Sequence, residues 1–360
     1  MAYLKEIEVE EVCASLPAIS PYIPSQDSTN DKLFLCACGF EPRCSRIAVE
    51  LKNKKYRTQH SIFFEYEINA SDNLRNRPEL VSALSDFTKT EPTAVIYRDR
   101  DFVADFGGRL DSMLTSTDPL PTVTFDISAC SSELILSTLR LLFERKIKLR
   151  ILYSEAAVYH PTLPEYESSP AEWTTDTGSG MSTGILKVKE CPIYPGTNPD
   201  QLPTILIAFP TFKPERIRSV VSDLQPSKTI WILGIPHLPE NRWRTEAMRE
   251  INSVPPDDPV FELDTFKYTE AFSRLEQVYQ QYELTNHIEI CPLGSKLQNV
   301  GVALFCLLRQ DVALRYSTPE SFNPKQYTEG VEALWQIDFG VVESLVDLVC
   351  SCGKLQVVEE

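Results

Sequence analysis

Four short segments of this 360-residue chain combine residue types that could hold an anion. Gly39-Phe40-Glu41-Pro42-Arg43, with Arg46, sets guanidinium groups beside an aromatic ring. Thr211-Phe212-Lys213-Pro214, with Arg216 and Arg218, repeats the aromatic, proline and cation pattern. Asp126-Ile127-Ser128 leads into Ser131 and Ser132, and Pro292-Leu293-Gly294-Ser295-Lys296 leads to Gln298. Small residues such as Gly294 and Ser295 let a backbone approach a ligand closely, Lys296 adds a point charge, and Arg43 could fork onto a phosphate or carboxylate. Phe40 and Phe212 either stack on a base or fill core, as most phenylalanines do. The arginines divide between ligand contacts and ordinary helix charges. Lys296 is the stronger ligand candidate, because a helix N-terminus disfavours a cation unless an anion is present. Tyr153-Ser154-Glu155 and Tyr316-Ser317 offer hydroxyls that either line the same cleft or cap a sheet. Arg98-Asp99-Arg100-Asp101 reads as a self-paired surface run.

These segments need elements to place them. Apolar runs at 33–37, 61–68, 93–97, 122–127 and 148–153 read as strands, with helices expected over 44–52, 78–87, 102–114 and 132–146. After 203 the order resumes: strands at 204–209, 229–233, 260–263, 288–291 and 312–316, and helices at 213–224, 242–251, 269–282 and 295–309. A last apolar stretch, 339–350, is expected as a helix. Continuous apolar strands separated by helices predict a parallel sheet covered on both faces. Each of the four segments then follows the carboxyl end of a strand, where open α/β sheets bind ligands. Residues 161–203 are rich in Pro, Gly, Ser and Thr and read as a linker or excursion with a short hairpin.

The two series resemble each other. An offset of 172 lays Phe40 on Phe212, Pro42 on Pro214 and Arg46 on Arg218. An offset of 163 lays Ile127, Ser132, Leu134, Leu141, Tyr153, Ser154 and Pro161 on identical residues. The expected fold is therefore α/β: two Rossmann-like parallel-sheet units in tandem, related by a pseudo-twofold, at 1–160 and 204–360 with 161–203 between them.

Composition excludes several classes. The 35 Lys and Arg against 51 Asp and Glu give a formal charge of −16, which argues against nonspecific nucleic-acid binding and against anionic membranes. No stretch approaches the ~20 apolar residues of a membrane span. The acidic N-terminus lacks a signal-peptide core, and ten cysteines, mostly within apolar runs, suit a reduced cytoplasmic chain. No C-x-x-C, clustered histidine, Walker loop or G-x-G-x-x-G occurs, so neither a metal nor a cofactor is expected.

The strand ending C-P-L-G-S-K-L-Q, then a helix and a strand, resembles the last ligand loop of CRISPR-associated Rossmann fold (CARF) domains. Two such units in one chain resemble the fused pseudo-dimer of SAVED domains of bacterial antiviral signalling. The resemblance spans 31–325, with Gly294, Ser295 and Lys296 as the matching motif. The first half carries Ser131, Ser132 and Glu133 there, which argues against two equal ligand sites. The resemblance implies cyclic oligonucleotide ligands bound at that turn and at the turn after the first strand. With no fused effector visible, output is expected through a protein partner. The leading expectation is a ligand-sensing or adaptor protein of a prokaryotic defence or signalling system that binds a nucleotide-like anion between its halves. Two alternatives stand beside it. One is a metal-independent nucleotide hydrolase, a ring phosphodiesterase or N-glycosidase, with Asp126 as base and Ser128, Ser132 and Lys296 stabilising charge. The other is an interaction module of a larger complex.

Overall fold

The computed structural model describes residues 2–98, 101–114, 119–169, 173 and 182–359. Asp99 and Arg100 of the charged run, and residues 174–181 of the excursion, lie outside the described residues.

The chain builds two mixed, largely parallel sheets. The larger has seven strands in the spatial order Ser20–Pro21, Ala333–Val341, Lys148–Glu155, Thr122–Asp126, Asn30–Cys38, Arg57–Tyr66 and Thr93–Tyr97. The smaller has six: Lys187–Pro195, Ala313–Thr318, His287–Pro292, Thr204–Phe209, Lys228–Ile235 and Val260–Asp264. Each contains five parallel strands in the same order relative to the chain, with the first in the middle. Burial follows position. Asn30–Cys38 and Thr204–Phe209 are apolar and buried almost throughout, whereas the edge strands Thr93–Tyr97 and Val260–Asp264 are largely exposed or half-buried.

The sixth principal strand of each sheet crosses over. Lys187–Pro195, which follows the first five strands, pairs antiparallel with Ala313–Thr318 of the second sheet. Ala333–Val341, which follows the second five, pairs antiparallel with Lys148–Glu155 of the first. Each half thus completes the other's sheet. The excursion at 161–203 therefore contains a full strand, and residues 333–341 form a strand rather than the start of the last helix, which runs Val342–Val349. The two connectors also pair where they cross: Val158–Tyr159 with Thr328–Glu329, and Ser182–Thr183 with Ser321–Phe322.

The helices Ser132–Phe143 and Lys296–Leu308 pack on each other where the sheets meet, and both touch Val342–Val349. Their apolar residues run nearly all round, so nine of twelve and eleven of thirteen positions are buried. Gly301 allows the close approach of Tyr268–Tyr282, since a Cβ there would run into the Tyr268 carbonyl. One apolar core consequently runs through both halves, from Leu33 and Phe125 to Ile207 and Leu304. Among the described residues no helix is long and apolar enough to cross a membrane, and all ten cysteines are free thiols.

Candidate functional site

The two sets of parallel strands aim their carboxyl ends at one cavity of about 750 Å³. Every one of the ten contributes. Gly39, Tyr66, Tyr97, Ala129 and Glu155 come from the larger sheet, and Thr211, Gly234, Thr265, Gly294 and Tyr316 from the smaller. The crossing connectors also line it, through Tyr159, Ser182, Phe322, Tyr327 and Thr328. Segments 39–43 and 293–298, distant in sequence, therefore face the same space.

Lys296 is the first residue of its helix. Ser295 caps that helix, accepting from the Gln298 N–H at 3.0 Å, while the Gln298 side chain accepts from the Ser295 N–H at 2.9 Å. The Lys296 ammonium donates to the Cys130 carbonyl at 2.8 Å. Burial draws its pKa down to about 8, although Glu41 pulls the other way. Arg216, in the first turn of Pro214–Leu224, donates to the Ser317 carbonyl at 2.8 Å, and its Nε has no partner. Arg244, in the first turn of Trp243–Ile251, lies over the Phe212 ring at 4.4 Å and donates to the carbonyls of Tyr159, His160 and Pro161. Burial lowers both guanidinium pKa values, that of Arg244 to about 10. Among the described residues, none of these three cations has a carboxylate within ion-pair distance. Three cations at helix N-termini, none in a direct ion pair, make the cavity a place for an anion.

The remaining polar groups divide into closed and open sets. Arg43 is buried, pairs with Glu41 at 2.8 Å and donates to the Ser154 carbonyl at 3.1 Å. Glu41 also accepts from Thr328 of a connector. The 172 offset places Lys213 and Glu215 on Glu41 and Arg43 with reversed charges, and these pair at 3.8 Å. Both turns thus hold an internal salt bridge. The Ser131 side chain caps Ser132–Phe143, its N–H donates to the Tyr66 hydroxyl, and Ser132 accepts from Asn299 at 3.1 Å. Tyr153 bonds Tyr159 at 3.1 Å, whereas the Tyr316 hydroxyl, the Ser317 hydroxyl and Gln298 Nε2 are buried without partners among the described residues.

Three expected site residues lie elsewhere. Asp126 is 2% exposed beneath the cavity and accepts from the Ser128 N–H at 2.9 Å and from its hydroxyl at 2.5 Å. Burial pushes its pKa up to about 7. Ser128 is wholly buried, spent on Asp126 and on the Ser154 N–H at 2.7 Å. Arg46 points outward and pairs with Glu50 at 2.6 Å. Asp126 and Ser128 therefore do not reach the cavity that a base and its hydroxyl partner would have to serve. Phe212 borders the cavity at 2% exposure, sealed under Arg244, Trp243 and Tyr166, which leaves no open face for a base. Phe40 packs against Phe322 and Tyr327 of the connectors.

Sequence reasoning missed Arg244 and His237, and named Glu41 and Glu155 only as members of their strand-end segments without a role in the site. Arg244 carried the same signal as Lys296, a cation in the first turn of a helix after a strand. His237 carried none, and although Glu155 closes its strand, only the fold brings His237 Nδ1 to 3.3 Å from the Glu155 carboxylate, which also accepts from Trp335 at 2.9 Å. Burial raises the Glu155 pKa. No cluster of His, Cys, Asp or Glu among the described residues could hold a metal ion.

No family model matches the chain, and no curated protein matches its sequence. Among solved structures, the cytoplasmic domain of a prokaryotic cation chloride cotransporter aligns over 81% of this chain and 96% of its own, at 6% identity and a TM-score of 0.24. A functionally unknown protein from Pseudomonas aeruginosa PAO1 aligns over 89% and 97%, at 11% identity and a TM-score of 0.23. Superpositions at this level establish no shared fold.

Proposed function

We propose that this chain is a ligand-sensing or adaptor protein of the CARF-like and SAVED-like kind, built from two duplicated Rossmann-like units and binding a nucleotide-like anion between them. The observation that carries this reading is the convergence of ten parallel-strand carboxyl ends on one cavity whose three half-buried cations, Lys296, Arg216 and Arg244, have no carboxylate within ion-pair distance among the described residues. The common strand order and the reciprocal exchange of sixth strands support duplication. The paired connectors over the cavity supply a route for output: a ligand that draws Arg216, Arg244 and Lys296 together also pulls on the segments joining the two sheets. The binding event then passes to a partner protein in a defence or signalling system. A hydrolase working through Asp126 finds no support, because that carboxyl lies beneath the cavity.

The test is titration calorimetry of the full chain against nucleoside monophosphates, linear dinucleotides and cyclic di- and oligonucleotides, repeated on Lys296→Ala. Binding by at least one class, weakened about tenfold or more in the variant, is expected for a lost charge-assisted hydrogen bond. Absence of heat with every nucleotide would sink the proposal.

A further inference from the structure

We infer that the ligand is not twofold: it carries one terminal anionic group, a phosphomonoester, held by the C-terminal half alone. This rests on the proposed ligand cavity and adds the class of ligand.

The two halves place their chains alike but charge the cavity differently. The first helical residue is Lys296 in one half and Ser132 in the other. At the 172 offset Arg216 falls on Cys44, a buried uncharged thiol. At the 163 offset Gln298, with its unpartnered buried Nε2, falls on Ile135. Tyr316, whose hydroxyl is buried and unpartnered, falls on Tyr153, whose hydroxyl is already bonded to Tyr159. In each pair the open donor lies in the C-terminal half and the closed or apolar residue in the N-terminal half. The cations that the N-terminal half contributes, Arg43 and Arg98, are paired with Glu41 and Glu67. Glu155, buried and bonded to Trp335 with His237 3.3 Å away, adds negative charge on that side.

A twofold ring with two equivalent phosphodiesters would meet donors with one phosphate and a carboxylate-lined wall with the other. Desolvating a charge without a partner is costly, so such a ring wastes half its charge. A phosphomonoester suits the C-terminal side better. It offers about −1.5 to −2 charge at pH 7 and three acceptor oxygens to Lys296, Arg216 and the open Gln298 amide. The remainder of the ligand, carrying hydrogen-bond donors, would then lie toward Glu155.

The experiment is calorimetry of the intact chain with the linear dinucleotide pApA, its unphosphorylated form ApA and the cyclic dinucleotide of adenosine, and the same set with guanine. One pApA or pGpG per chain is expected, bound about tenfold or more tighter than both the unphosphorylated and the cyclic forms. In Arg216→Ala, with an unchanged melting temperature as the control for folding, that preference should collapse. The comparison among ligands needs no variant, so it stands even where Arg216→Ala fails to fold. A cyclic form binding as tightly as the linear phosphomonoester, or equal binding with and without the phosphate, overturns the asymmetry while leaving the cavity a nucleotide site. No binding by any of the six, nor by the wider nucleotide panel, overturns the parent reading as well.

Discussion

Replacing Lys296 by methionine keeps the length and apolar stem of the side chain and removes its charge. Burial lowers the ammonium pKa from 10.5 to about 8. At about 1.4 kcal/mol per pH unit, that depression means that the folded site disfavours the charged form by roughly 3 kcal/mol. Against this stands the bond to the Cys130 carbonyl at 2.8 Å. Leaving that carbonyl unpaired costs about 1–3 kcal/mol. We therefore expect ligand-free Lys296→Met to match or exceed the wild type at pH 7, by about 1 kcal/mol. Below the folded pKa both states carry the proton and the penalty is felt in full. Between about 8 and 10.5 the folded state gives up its proton first, so wild-type stability rises with pH and the advantage of the variant fades. Urea unfolding of both proteins at neutral and alkaline pH, beside calorimetry with the nucleotide panel, reads both effects. A variant that loses more than about 2 kcal/mol at neutral pH, with a difference flat into alkali and unchanged nucleotide binding, would show a purely structural lysine and refute the reasoning.

Three further outcomes are expected. Arg150 lies buried between Asp27 at 2.8 Å and Asp31 at 3.3 Å. Arg150→Met strands both carboxylates and should cost about 3–5 kcal/mol in urea unfolding, with part recovered when Asp27→Asn and Asp31→Asn are added. Asp126→Asn should leave nucleotide binding unchanged. Because the folded carboxyl holds its proton up to about pH 7, against 3.8 ordinarily, wild-type stability should fall as pH rises through that window. Melting temperatures at pH 5 and pH 8 should therefore differ less in Asp126→Asn than in the wild type. Finally, fragments 1–198 and 199–360 each lack the strand that completes their sheet. Neither should fold alone, and mixing them should restore one 1:1 species by size-exclusion chromatography with native-like circular dichroism.

Most of the elements were legible because burial on both faces writes strands as unbroken apolar runs. Thr93–Tyr97 and Thr204–Phe209 lie where the sequence predicts them to the residue, and most other ends move by one to four. The two exchanged strands were not legible. KVKECPIYP at 187–195 is interrupted by two prolines and lies mostly half-buried or exposed, and ALWQIDFGV at 333–341 runs straight into an apolar helix. Their strand character comes from partners more than a hundred residues away, which no local pattern encodes. The helix starts show a finer limit. The 163 offset matches Ser132 to Ser295, but the residues that cap are Ser131 and Ser295, so the turns before the two helices differ by one residue.

For the site, the sequence by itself determined which charges stand at strand ends. A cation at the start of a helix is a local feature, and Lys296 and Arg216 could be named from it. Only the tertiary structure decided which of those charges remain open. Arg43 and Arg216 look alike in sequence, yet one is closed by Glu41 and a carbonyl while the other bonds a carbonyl alone and keeps a buried Nε without a partner among the described residues. Asp126 and Glu155 are both carboxylates at strand ends, yet one is buried out of reach of the cavity and the other lines it. The physical reason is that a charge is neutralised by what lies within a few ångströms in space. In a molecule whose halves exchange strands, those neighbours come largely from the far end of the chain.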